Sequence, residues 1–299
     1  MTTLTNKAEA LLLLHFIVFV WGFTGILGQE ISLPADSLVG WRVWIAAAGI
    51  GGYALIARKS LAAAPRDIVA FASVGLITAL HWICFFASIK ASNISTALSV
   101  LSTTSFFVAL VAPVIRKSRF LAYELVLGIV VIAGLFLIFR FEPDYTSGIL
   151  LSLAASFFAA LFSSFNSVFV ARHPPHKIAF YEMAGAAVGM TIWLVGSGSW
   201  NTSTELPATY DILLLLILGL VATAYAFIAG IRVMQVLTPF TCAITINLEP
   251  VYTILFALFL YGEREWMSTG FYLGAMLILS TLFINAWMKR RSERSAAHF

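Results

Sequence analysis

The stretch NLEPVYTILFALFLYGER, residues 247–264, sets a carboxylate beside a proline within an apolar run. Glu249 stands inside the segment Cys242 to Leu260, and Pro250 follows it. No other carboxylate lies near the centre of an apolar stretch of this chain. An ionised acid at bilayer depth costs roughly 2.5–3.5 kcal/mol even on lenient insertion scales, and is tolerated where it faces a polar cavity or a partner. Proline removes a backbone donor and frees the carbonyl one turn back, that of Ile246. An acid beside a broken helical ladder reads as a binding site inside a membrane.

The rest of the chain fits that setting. It is 61% hydrophobic and 11% charged, with mean hydropathy +0.95, whereas soluble domains carry roughly 25% charge. A bilayer span needs about 20 apolar residues as helix. Turn residues and charges then divide the chain into ten spans, near 10–28, 37–57, 67–88, 95–115, 121–140, 147–170, 178–196, 210–234, 239–261 and 267–288. The first follows Lys7 and has no small-x-small cleavage site, so a retained helix is expected and not a secretory signal. Cys84 and Cys242 both fall in apolar segments and read as small apolar thiols, without disulfide or metal spacing.

Basic residues set the orientation. With the N-terminus inside, the inner flanks hold fourteen: Lys7, Arg58, Lys59, Arg66, Arg116, Lys117, Arg119, Arg172, Lys177, Arg232, Lys289, Arg290, Arg291 and Arg294. The outer flanks hold three, Lys90, Arg140 and Arg264. Both termini are therefore expected in the cytoplasm, in a multi-pass protein of the cytoplasmic membrane. The net charge of +4 is an orientation signal and not a nucleic-acid patch.

The chain also repeats itself. DIVAFASVGL at 67–76 returns as DILLLLILGL at 211–220, an offset of 144 that also aligns Ser105-Phe106 with Glu249-Pro250 and Arg119 with Glu263. Two halves of five spans each, 1–145 and 146–299, must enter the membrane from opposite sides because five is odd. The fold expected is an all-α membrane protein of ten transmembrane helices in two inverted five-helix repeats. In such folds the site lies near the midplane, between the repeats.

With Trp21-Gly22 in the first span, Arg42 early in the second, FASIKASNISTALSVL at 86–101, and Pro250-Val251 leading to Gly262-Glu263, the chain resembles the EamA family of the drug/metabolite transporter superfamily. The resemblance covers nearly all of the chain. It implies ten helices, a central cavity and export of amino acids or related small metabolites. The first half departs from the family pattern, with Phe106 where a proline is usual and Arg119 where Gly-Glu is usual. A symmetric break in the fourth and ninth helices is therefore not expected.

Several residues are candidates for lining that cavity. Thr241, Thr245, Glu249 and Tyr252 follow i, i+4, i+8, i+11 spacing and form one polar stripe on the ninth helix. Glu249 would bind a substrate amine or carry a coupling proton, or else hold neighbouring helices; Asn247, about 200° around, serves packing. His81 corresponds by the repeat to Tyr225, and an intramembrane histidine either relays protons or bonds a neighbouring helix. Trp82 reads as packing. Arg42 either meets an anionic group or snorkels to the outer face. Glu182 reads as a charge at the cytoplasmic end. Ser99 and Ser102 with Ser95, and Asn166 with Ser156 and Ser163, form further polar faces, alternatively helix-joining. Gly185-x3-Gly189 and Gly270-x3-Gly274 mark close packing within one chain.

A secondary transporter is the leading reading, since no Walker A sequence, H-E-x-x-H or G-x-S-x-G is present. No cofactor is implied. The partners expected are a small-molecule substrate and the lipid bilayer, with no nucleic acid, in a monomer or weak homodimer. A nucleotide-sugar or phosphorylated-metabolite carrier is the alternative, weakened by having only Arg42 and Lys90 as basic residues near spans on the outer side. An intramembrane enzyme or a channel ranks below both, for want of a second convergent acid or a ring of pore charges. Cysteines placed at 144 and 205, in a background without Cys84 and Cys242, should label from outside, while those at 117 and 175 should not. The reverse pattern would overturn the orientation.

Overall fold

The computed structural model describes residues 6–199 and 207–296, and all its regular elements are helical. Glu205, expected in an outer loop, lies outside the described residues. So do the side chains of Arg264, Lys289, Arg290, Arg291 and Arg294. The chain runs α1 (Lys7–Glu30), α2 (Ala35–Ile56), α3 (Pro65–Ala91), α4 (Ile94–Leu101), α5 (Thr104–Arg116), α6 (Ala122–Phe141), α7 (Thr146–Phe169) and α8 (Pro175–Gly196). After these come α9 (Thr209–Leu216), a π-helical stretch (Ile217–Tyr225), α10 (Ala226–Val233), α11 (Pro239–Ile246), α12 (Glu249–Tyr261) and α13 (Thr269–Ala296). Among the described residues eight units are long and apolar enough to cross a membrane, and two shorter apolar helices, Ala122–Ile138 and Thr269–Thr281, accompany them.

Local chemistry places the boundaries. Asn6, Asn93 and Thr238 cap α1, α4 and α11 by accepting from backbone N–H groups, and prolines occupy the first turns of α3, α8 and α11, where a missing donor costs nothing. Inside the expected eighth span a π stretch appears that the sequence pattern did not indicate. Thr223 donates from Oγ1 to the Leu218 carbonyl at 2.7 Å, five residues back, and sustains the wide turn.

The ninth span breaks, as Pro250 led one to expect, and the fourth breaks too, against the expected asymmetry, and they break alike. Each is an arm of 8 residues followed by an arm of 13. Ile94 against Pro239, Thr104 against Glu249 and Arg116 against Tyr261 are each 145 residues apart. Both long arms end on a positive φ, at Lys117 (+53°) and Gly262 (+55°), again 145 apart. The offset here is thus 145 and not 144, which pairs Glu249 with Thr104 instead of Ser105. The first break needs no proline at its start: the Ser105 N–H turns to the Ser102 carbonyl, and the Thr104 hydroxyl takes its place on the Leu101 carbonyl at 2.7 Å.

α4 packs on α12 and α5 on α11, so the two broken helices run antiparallel. Asn247 joins their breaks: oriented to satisfy both ends of its amide, it donates to the Ser102 and Ala243 carbonyls at 3.1 and 3.3 Å. Around this crossing α3 packs on α7 and α8, α2 on α8 and the π stretch, α1 on α10 and α12, and α6 on α13. The glycine motifs lie at helix contacts within the chain. A Cβ on Gly185 would meet Ala72, and one on Gly274 the Gly134 carbonyl.

Glu265 locks the start of α4. Its carboxylate accepts from the Ile94 and Ser95 backbone N–H groups at 3.3 and 2.9 Å and from Ser95 Oγ at 2.7 Å. An anion on the first turn of a helix meets orphan donors and the positive end of the dipole. Glu265→Ala should therefore cost about 1–3 kcal/mol, read as a lower melting midpoint in detergent, and Glu265→Gln should lose less. Unchanged melting of the alanine variant would show that α4 starts without this clamp.

Candidate functional site

A cavity of about 960 Å³ of non-atom space, its mouth included, lies between α1, α2, α3, α7, α10 and the two broken helices. Its walls are mainly aromatic and aliphatic, with Trp21, Trp82, Phe85, Phe162 and Phe227 among them. A few polar groups converge on it: Thr24, Arg42, His81, Thr104, Ser163, Asn166 and Glu249. A largely apolar pocket with few placed polar groups suits a small metabolite.

Glu249 opens α12 at the break and is only 6% exposed. Its backbone carbonyl accepts from Thr253 Oγ1 at 2.9 Å. Among the described residues no side chain or backbone group donates to its carboxylate, which faces the cavity. Arg42 does not snorkel; it is 2% exposed. Its Nε donates to Thr223 Oγ1 at 2.7 Å, while Thr223 passes its own proton to the Leu218 carbonyl. Its guanidinium carbon sits 3.9 Å from the Trp82 ring centre, so Trp82 is more than packing: it supplies the π face on which the charge rests. Arg42 Nη1 is buried without a partner. Among the described residues no ion pair within 4.0 Å joins Arg42 to Glu249. The cavity thus brings a guanidinium and a carboxyl group to one wall, with Arg42 Nη1 left unbonded.

His81 also lines the cavity, with Nδ1 2.9 Å from the Ala155 carbonyl. A carbonyl can only accept, so Nδ1 carries the proton. Asn166 shares the wall of α7 with Ser163 and donates from Nδ2 to Glu182 Oε2 at 3.3 Å. Glu182 is 0% exposed, so it is not a solvated end charge.

Other expected members point elsewhere. The break rotates α11 against α12, and the face of the ninth span on the cavity is Pro239, Cys242, Ala243, Ile246 and Glu249. Thr241 and Thr245 lie off it. Thr241 Oγ1 is 2.8 Å from Thr238 Oγ1, and Thr245 Oγ1 donates to the Thr241 carbonyl. Tyr252 sets its ring against Phe19. Tyr225, 41% exposed, meets Phe16 edge-on, because the π stretch turns it away from the place that His81 holds in α3. Ser99 and Ser102 are buried outside the cavity. Ser152 and Ser156 tie α7 to the carbonyls of Ala97 and Leu101. Sequence reasoning missed Thr104, which the corrected offset of 145 pairs with Glu249.

A model of the EamA-like transporter family matches residues 8–140 and again 146–287. No curated protein matches the chain. A solved structure, described only as the crystal structure of a protein, is similar, with a TM-score of 0.71 and 17% identity, covering 96% of this chain and 100% of that one. At that identity the likeness concerns the fold alone.

The rotated face can be tested by thiol labelling in a background without Cys84 and Cys242. Cysteines at Ala243 and Ile246 should react with a small polar thiol reagent, and cysteines at Thr241 and Thr245 should stay protected. The opposite pattern would restore the unbroken stripe.

Proposed function

The chain belongs to the EamA-like transporter family, and from that premise we propose that it is a secondary transporter exporting amino acids or related zwitterionic metabolites. The membrane is the cytoplasmic one, the termini are cytoplasmic, and ten spans form two inverted repeats of five. The antiparallel crossing of the broken helices supports the inversion, and the excess of basic residues on the inner flanks supports the orientation.

The observation that carries the substrate class is the unspent pair in one cavity. Arg42 has a buried Nη1 without a partner, and among the described residues no hydrogen bond is made to the Glu249 carboxylate, whose residue lines the cavity. The two groups attract each other without direct contact, and buried polar groups left short of hydrogen bonds are costly, a cost recovered when a ligand brings the complementary groups. An α-amino acid carries both groups: its carboxylate meets the guanidinium, and its ammonium meets Glu249. The apolar rings leave room for the side chain. Phosphorylated substrates need several cations, and Arg42 is the single Lys or Arg on the described wall.

Alternating access follows from the ends of the bundle. The wall extends to Leu14, Met234 and Pro239, near the end where α1 begins and α10 finishes. The other end is tied by Ser32 to Asp211, by Tyr261 to Glu30 at 2.7 Å, and by Lys90 to the Ile31 carbonyl at 3.1 Å. In this reading the ties at that end part to release substrate.

Purified protein in liposomes tests the reading by counterflow of radiolabelled L-amino acids. Decarboxylated amines and deaminated acids should compete far more weakly than the intact zwitterion. Glu249→Gln keeps the volume and removes the charge, so affinity should fall about 10- to 100-fold, the loss of one charge-assisted bond. Equal competition by one-charge analogues, or unchanged affinity in the variant, would refute the assignment.

A further inference from the structure

Glu182 and Asn166 hold chemistry that substrate binding does not use. Glu182 lies seven residues into α8, about 10 Å along its axis. It is 0% exposed and Asn166 is 1% exposed. Asn166 Nδ2 donates to Glu182 Oε2 at 3.3 Å. The second oxygen of each, Glu182 Oε1 and Asn166 Oδ1, is buried without a partner. Two acceptors stranded on a pair already joined by one hydrogen bond lack a shared donor. One proton on Oε1 supplies it, since a protonated carboxyl both donates and accepts.

Neighbouring charges offer no substitute. α8 packs on α2, α3 and α10, and meets α7 through Asn166. On α2, Arg42 is engaged by Thr223 and Trp82. On α3, His81 bonds Ala155, Asp67 faces His173 at 3.8 Å, and Lys90 holds Ile31 at the far end. Arg232 belongs to the last turn of α10. On α8 itself, Lys177 and Tyr181 donate to the Ala62 and Leu61 carbonyls. Among the described residues no ion pair within 4.0 Å reaches Glu182. Two oxygens are also too few for a hard metal cation, which takes about six or more.

We infer that Glu182 and Asn166 form a proton-binding site behind the cavity wall, separate from Glu249, through which transport is coupled to a proton gradient. This rests on the transporter reading above. Asn166 belongs to both the wall and the pair, so it links occupancy of the cavity to the acid. In the coupled step the Glu182 O–H bond breaks, the proton leaves to water on the side of lower proton activity, and Asn166 Nδ2 keeps its bond to the remaining carboxylate.

Infrared spectroscopy tests the site without any substrate. Wild-type protein at neutral pH should show a protonated-carboxyl stretch that Glu182→Gln removes and that Asn166→Leu shifts, by taking away its acceptor. No such band in the wild type, or the same band in Glu182→Gln, would overturn the site. If the glutamine variant does not fold, the shift in Asn166→Leu decides, and an unmoved band overturns the proposal. In liposomes, accumulation of a radiolabelled L-amino acid driven by a pH gradient should fall in Glu182→Gln to its level without a gradient, while counterflow at equal pH persists. Retained gradient-driven accumulation, or accumulation driven by sodium instead, would overturn the coupling. Absence of counterflow in the wild type would overturn the transporter reading, and the infrared result would still decide the proton site.

Discussion

A guanidinium buried among apolar helices must be held by the protein, because no water competes for it. Arg42 is held on two sides, by the Thr223 hydroxyl and by the Trp82 ring. Each hold makes demands elsewhere. Thr223 accepts from Arg42 while giving its proton to the Leu218 carbonyl, and that bond spans the wide turn of the π stretch. The same stretch presents the Ala222 carbonyl to Trp21 Nε1 at 3.0 Å, which brings α1 to the cavity. The charge, the irregular helix and the aromatic wall are parts of one solution. Removing the π turn would leave Arg42 with a single support and Trp21 without its acceptor.

The opposite charge is placed by different means. Glu249 sits where a helix stops and restarts, and the side chain leaves the axis at that point. Buried hydroxyls and one amide bond the main chain in and around these breaks. Ser102, Thr104 and Thr245 bond carbonyls of their own helices, Ser152 and Ser156 reach across from α7, and Asn247 bridges the two crossings. Several hydroxyls that look like a polar lining are therefore spent on main chain. In lipid every such group must be satisfied internally, so a serine or threonine beside a break serves the backbone before it can serve a ligand.

That accounting explains what was legible in the sequence. Hydropathy and turn residues located the long helices within a few residues, because burial in lipid imposes a length that composition records. Glu249 was legible because an acid stands out in an apolar run. Arg42, His81 and Asn166 also face the cavity, each the one strongly polar group in its stretch of helix. Thr241, Thr245 and Tyr252 lie off the cavity wall because the i, i+4, i+8, i+11 spacing was carried straight through the break that Pro250 announces, and the break turns the two arms against each other. Tyr225 was misplaced for a related reason: one wide turn resets every later position in the span. Thr104 was hidden by an offset wrong by a single residue, which on a helix is about 100°.

The equality of the two broken helices has a mechanical consequence. Each short arm has 8 residues, about 12 Å, and each long arm 13, about 20 Å. Because the helices run antiparallel, one short arm lies toward each face of the bundle. The two pivots therefore have the same lever length, and Asn247 holds them against each other. A given tilt of either short arm sweeps the same arc at its own face. Neither face has the longer reach, and a movement that narrows one end has a counterpart of equal stroke available at the other.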